Sequence, residues 1–360
     1  MTSLLKDNYD HAYVSLLGER INAACSEFDE TKFLALVFDE LWSSRELKAR
    51  MMHIRKCIHT ILNRPYVAAL EVLRDVAVYF SGFEAMIFPD YVQTYGLDCW
   101  QLSIDVLEEF TQYSSSEFAV RPFIERDSEL MMSVMVAWAG SKNHHVRRLA
   151  SEGCRPRLPW ARPLKEFKRD PSAILPILEK LKSDESDYVR KSVANNLNDI
   201  SKDNPQLVLD ICCRWKGLSE NVDRLVKHGC RTLLKKGDAS AMKLFGYQES
   251  NGIKVSTFQL DVSHAKVGGY IDLILSLDCS VDNGPIRLEY AIDFVKSAGH
   301  TSNKVFMLRD GLLADRELCV KKRHSFKQLS TRKHYPGEHV ITVIVNGVRL
   351  QSKTFYLSGV

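Results

Sequence analysis

Two hydrophobic periods divide the chain. Up to about residue 247, apolar residues recur at steps of three and four. In RINAACSEFDETKFLALVFDEL (residues 20–41) they fall at Phe28, Phe33, Leu36, Val37 and Leu41, the spacing of one helix face. ELKARMMHIRKCIHTIL and YVAALEVLRDVAVYF continue that period. From about residue 253 the period shortens to two. IKVSTFQLDV, GYIDLILSLDCSV, IRLEYAIDFV, NKVFMLRD, ELCVKKRHSF, HVITVIVNG and VRLQSKTFYL read as seven strands, parted by Gly, Pro, Asn and Asp. Asn346-Gly347, between the last two, predicts a two-residue hairpin, because a type I′ turn needs positive φ at both positions.

The helical part repeats. SSEFAVRPFI (115–124), SKNHHVRRLA (141–150), DESDYVRKSV (184–193) and SENVDRLVKH (219–228) each open on Ser or Asp, a helix N-cap residue. Three carry Val-Arg, at Val120, Val146 and Val189, and the fourth places Arg224-Leu225 there. Irregular repeats of this length, with a Pro following, predict HEAT-like helix pairs stacked into a solenoid with a concave face. The fold expected is multidomain: an all-α HEAT-like solenoid over residues 1–247, then an all-β immunoglobulin-like sandwich over 254–360, with the boundary in GYQESNG.

A single helix over 143–155 would set Arg148, Glu152 and Arg155 on one face and Val146, Leu149 and Ala150 on another. Aligned on Val146 and Val189, Arg148 matches Lys191 and Glu152 matches Asn195. Pro156 and Pro159 then stop the helix, so Trp160 leaves on a short rigid loop beside a cationic stripe. That arrangement suits a site that stacks on sugars, bases or cationic groups. It equally suits a solvated stripe of i,i+4 ion pairs and a tryptophan filling a gap between repeats.

Charge is uneven. Residues 1–113 hold 10 Lys and Arg against 17 Asp and Glu, residues 114–253 hold 24 against 18, and residues 254–360 hold 15 against 10. The basic two-thirds point to a polyanionic partner. The nine cysteines are scattered and never spaced C-x-x-C, which predicts reduced thiols in a cytoplasmic protein and no structural zinc. No apolar run is long enough to span a bilayer, and the N-terminus makes a poor signal peptide. G-x-S-x-G, the P-loop and the dinucleotide fingerprint are all absent.

GLDCWQLSIDVLEEFTQYSSSEFAVRPFI, MMSVMVAWAGSKNHHVRRLASEGCRPRLPWARPL and DYVRKSVANNLNDISKDNP together resemble the AlkC/AlkD superfamily of HEAT-like DNA glycosylases. SSEFAVRPF, RRLASEGCRPRLPW and the appended sandwich are similar to its AlkC branch. The resemblance implies removal of 3-methyladenine and 3-methylcytosine from duplex DNA without base flipping. A monomer with no cofactor and no metal is expected. A base alkylated at a ring nitrogen is already cationic and needs no general acid; the enzyme must stabilise an oxocarbenium-like sugar and place water.

The resemblance implies that Glu117 and Asp199 face the lesion, with Asp199 placing water, and that Trp160 contacts the lesion sugar. Arg148 would hold a flanking phosphate, Glu152 would orient it or face the site, and Arg155, Arg157 and Lys191 would hold further phosphates. Taken without the resemblance, Glu117 reads as a first-turn acid favoured by the helix dipole. Arg121, Arg147 and Arg190 read as structural. In the sandwich Lys321, Lys322, Arg323, Lys327, Arg332 and Lys333 form a basic run, either a solvated edge or a second grip on DNA that closes the groove into a clamp. The rival readings are a HEAT scaffold for a protein partner and a DNA-binding relative without catalysis.

Overall fold

The computed structural model describes residues 5–248, 252–280, 284–313, 316–328 and 333–359. Sixteen α-helices are followed by eight strands within these segments. RINAACSEFDETKFLALVFDEL is two helices, not one: His11–Ala24 ends at Cys25, and Asp29 caps Glu30–Val37 by accepting from the Lys32 N–H. Asp10, Asp127, Asn143 and Asp238 cap their helices in the same way.

The chain packs as two compact units. The first runs to Asn204 and takes in Gly217–Gly229; the second joins Pro205–Lys216 to the chain from Cys230 onward. Within the first, the helices His144–Gly153, Asp187–Ile200 and Glu220–Gly229 lie side by side. Their apolar stripes form the core: Val146, Leu149, Ala150, Val189, Val193 and Leu197 are at most 1% exposed. The third helix is in a different register from the one its sequence suggested. Ser219 caps it, accepting from the Val222 N–H, so buried Val222 is the counterpart of Val146 and Val189. Arg224 then stands in the column of Arg148 and Lys191. Burial of the valine sets the register, so the place that the sequence pattern gives to Arg224 is two residues out.

Three arginines at the repeat position are structural. Arg147 bridges to Asp184 (2.6 and 3.0 Å), and Arg190 donates to the carbonyls of Asp184 and Glu185. Arg121 spends its guanidinium on the carbonyls of Gly153, Arg155 and Arg162. Burial lowers its pKa to about 10, so it stays charged at neutral pH.

In the second unit the strands are β1 (Ile253–Leu260), β2 (His264–Lys266), β3 (Tyr270–Cys279), β4 (Pro285–Val295), β5 (Thr301–Leu312), β6 (Glu317–Ser325), β7 (Gly337–Val345) and β8 (Val348–Ser358). They form a three-stranded sheet, β1-β3-β6, and a five-stranded sheet, β2-β8-β7-β4-β5. Every pairing is antiparallel except β2 with β8. The inward residues of both sheets, including Ile271, Leu275, Leu288, Ile292 and Ile341, make one core with Phe326, which follows β6. Asn346 and Gly347 have φ of 47° and 81°, so the predicted hairpin turn is present. The tip of that hairpin meets the loop after helix Arg231–Lys236 so closely that a Cβ on Gly237 would lie 2.6 Å from the Gly347 carbonyl oxygen. Asn346 also donates to the Gln248 carbonyl, and Tyr247 to Asp310.

Candidate active site

An open cleft of about 520 Å³ lies in the first unit. Helix His144–Gly153 supplies His145, Arg148 and Glu152 to its wall, and the turn before helix Arg121–Arg126 supplies Ser115, Glu117 and Phe118. Arg155, Trp160, Phe83 and Tyr188 complete the parts that carry chemistry.

Helix His144–Gly153 stops two residues short of Arg155, because Pro156 follows, but Arg155 still turns back onto it. The result is a chain of alternating charge. Glu117 pairs with Arg148, Arg148 lies 3.4 Å from Glu152, Glu152 accepts from Arg155 at 2.6 Å, and Arg155 donates Nε to Asp199 at 2.9 Å. Lys202 ends the chain, 3.0 Å from Asp199. Ser115 Oγ donates to Glu117 and accepts from Arg148, while Ser192 Oγ donates to Glu152 at 2.7 Å. Burial opposes the charge on Arg148 and Arg155, yet Glu152 with Glu117, and Glu152 with Asp199, outweigh it, so both pKa values are raised. Tyr188 lies under the Arg148 guanidinium, 5.0 Å from ring centroid to Cζ. In His145 burial, then His144 and Arg148, lower the pKa, which favours the neutral ring beside the acids.

Trp160 is the unusual residue. It is 62% exposed and has φ of +65°, a left-handed backbone that costs a non-glycine residue about 1–2 kcal/mol. Such strain persists only where neighbours enforce it. Leu158 accepts from the Ala161 N–H, Pro156 accepts from Leu164, and Phe83 meets the indole edge-on at 6.0 Å.

The expected site residues therefore separate. Glu117, Arg148, Glu152, Arg155 and Trp160 share the cleft. Asp199 does not line it; the side chain is buried one layer behind, with Arg155 between. Arg157 pairs with Asp203 and exposed Lys191 with Asp187, both off the cleft wall. In the sandwich Lys321, Lys322 and Arg323 are exposed on β6, an edge strand, and Lys327 and Lys333 are exposed beyond it. Arg323 forks onto Asp272 (2.8 and 2.8 Å) and covers the Tyr270 ring at 3.8 Å. Arg332 lies outside the described residues.

Sequence reading missed Phe83, Ser115, Phe118 and Tyr188. Tyr188 had a signal: it precedes Val189 as His145 precedes Val146, and both rings reach the cleft. Among the described residues, no cluster of three or more His, Cys, Asp or Glu side chains is placed to hold a metal ion, and no helix is long and apolar enough to cross a membrane.

A helical-repeat solenoid with acids, arginines and an exposed tryptophan on one cleft, joined to an immunoglobulin-like sandwich, defines a class. Residues 86–211 match the DNA alkylation repair enzyme family, and residues 254–359 match the C-terminal Ig-like domain of the uncharacterised protein YhaZ. The chain belongs to the AlkC-type branch of the DNA alkylation repair proteins. It is 45% identical to YhaZ of Bacillus subtilis (strain 168) over 344 residues, 95% of this chain and 96% of that one. It is 36% identical to the Pseudomonas fluorescens alkylpurine DNA glycosylase AlkC, solved bound to DNA containing an abasic site analog; the match has a TM-score of 0.93 and covers 99% of each chain.

Proposed function

We propose that this protein is a monofunctional DNA glycosylase that hydrolyses the N-glycosidic bond of cationic alkylated bases, 3-methyladenine and 3-methylcytosine, in duplex DNA. The observation that carries the reading is the meeting of two arginine-paired carboxylates, Glu117 and Glu152, with exposed Trp160 on one cleft.

As the bond breaks, its electron pair returns to the base nitrogen and cancels the base's charge. Positive charge passes to C1′ and the ring oxygen of the sugar. Glu117 and Glu152 stabilise that cation, and the indole face of Trp160 supports it and holds the sugar. Water adds to C1′ and gives its proton to one of the two carboxylates, leaving free base and an abasic site. Groups presented at the surface can act on a nucleotide that stays in the stack, so no flipped-base pocket is required. Asp199 acts through Arg155, which it holds against Glu152. Arg148 orients both glutamates and shares its charge with a flanking phosphate, with Arg155, Arg157 and Lys191 as further phosphate contacts. The cations of the sandwich, Lys321, Lys322, Lys327 and Lys333, supply a second, sequence-independent grip.

The test is base release from methylated duplex DNA, comparing wild type with Glu117→Gln, Glu152→Gln, Trp160→Ala and Asp199→Asn. Release by wild type and severe slowing in the first three supports the reading. Slowing by Asp199→Asn to the level of Glu117→Gln would mean that Asp199 reaches the sugar once DNA is bound. Binding without release would leave a DNA-binding module. Lys321→Ala/Lys322→Ala/Lys327→Ala should lower affinity and flatten its salt dependence while leaving the single-turnover rate at saturating protein unchanged.

A further inference from the structure

We infer that Lys48 is a positioning residue for excision: its ammonium holds the left-handed backbone of Trp160 and thereby aims the indole at the cleft wall formed by Glu117. The inference rests on the function proposed above. Lys48 stands at the start of helix Leu47–Leu62, 112 residues from Trp160, and its Nζ donates to the Trp160 carbonyl. The same Nζ sits 4.4 Å from the centroid of Phe118, the residue after Glu117. One ammonium thus joins three segments: the N-terminal helices, the turn that presents Glu117, and the tryptophan loop.

The other contacts on that loop leave a gap that Lys48 fills. Arg121 holds the carbonyls of Gly153, Arg155 and Arg162, which lie on either side of residue 160. The peptide between Trp160 and Ala161 is held at its N–H by Leu158 and at its carbonyl by Lys48. One of the two hydrogen bonds named on that peptide therefore comes from a single side chain. Burial lowers the Lys48 pKa, and Asp90 and Glu117 oppose that fall, so the charge is engaged by its protein neighbours. Loss of the ammonium frees the carbonyl, lets the backbone relax from positive φ and moves the indole, while Ser115 and Arg148 still hold Glu117. A displacement of about 1 Å in a positioned group costs on the order of a hundredfold in rate.

Lys48→Met keeps the stem and removes the donor, while Lys48→Arg keeps a donor. Single-turnover release from methylated duplex at saturating protein should fall about 10- to 100-fold in Lys48→Met and largely recover in Lys48→Arg, with affinity for undamaged duplex unchanged. In a Trp160→Ala background, Lys48→Met should add less than about twofold, because the group it positions is gone. A second readout needs no activity: the anisotropy of the Trp160 emission, isolated by subtracting Trp160→Phe, should drop in Lys48→Met. An unchanged rate in Lys48→Met, an equal loss in the Trp160→Ala background, or unchanged anisotropy overturns the inference. Absence of base release by the wild type would instead overturn the proposed function, and the anisotropy would still decide whether Lys48 holds the loop.

Discussion

Replacing Arg155 by Met removes the cation between two buried acids. Arg155 donates to Glu152 and Asp199, whose side chains are 6% and 2% exposed. Breaking a buried ion pair from one side costs about 3–5 kcal/mol, because the remaining charge is stranded. Here neither acid is left wholly alone. Asp199 keeps Lys202 at 3.0 Å, and Glu152 keeps Arg148 at 3.4 Å and Ser192 at 2.7 Å. The lower end, about 3 kcal/mol, is therefore expected, a factor of roughly 150 in the folding equilibrium. In a unit of this size that corresponds to a melting shift of about 6–12 °C. The assay is urea and thermal unfolding followed by circular dichroism, with Asp199→Asn and the double variant completing a cycle. Asp199→Asn in the Arg155→Met background should restore about 1–2 kcal/mol by removing one stranded charge. A loss below about 1 kcal/mol, or simple additivity in the cycle, would refute the view that Arg155 anchors these acids.

Glu152→Gln keeps the shape of the side chain and removes its charge from between Arg148 and buried Arg155, so the unfolding midpoint should fall and base release, compared at a temperature where both proteins are folded, should slow by about 10²-fold or more; equal release by variant and wild type would remove Glu152 from the mechanism. His339 is fully buried, its ring stacks on Phe355, and burial lowers its pKa. The unfolded chain takes up that proton first, so stability should fall as pH drops from about 6.5 toward the folded value. His339→Phe should lessen the fall in the melting temperature of the second unit between pH 7.5 and 5, and an unaltered slope would argue against it. Gly347→Ala must place a Cβ 2.7 Å from the Gly237 Cα at φ of +81°, and should cost about 2 kcal/mol or more in urea unfolding of the second unit.

Much of the fold was legible because alternation and three-to-four spacing are local. All seven strands read from the sequence are present, and β2, only three residues long, was too short to show a period. The register at Val222 is hidden in the sequence because it depends on which residue caps the helix, and Ser219 caps it two residues earlier in the motif than Asn143 and Ser186 do. At the site, Arg148, Glu152 and Trp160 were visible as a charged face ending in a proline-flanked aromatic. Lys48 and Phe83 come from segments tens of residues away, and contacts at that range leave no periodic mark. The separation of Asp199 from the cleft was equally hidden: helix spacing gives the face of a residue but not which arginine stands in front of it.

The meeting of Gly237 and Gly347 has a consequence for how this architecture can be exchanged between proteins. The sandwich is not a cassette that begins where its first strand begins. Its hairpin tip rests on backbone from the last helices, at a spacing that admits no side chain on either partner. A chimera joined at residue 254 would carry a tip shaped for a surface left behind. The transferable piece starts upstream, with the helices of the second unit, and sequences that trade this sandwich should trade those helices and both glycines with it.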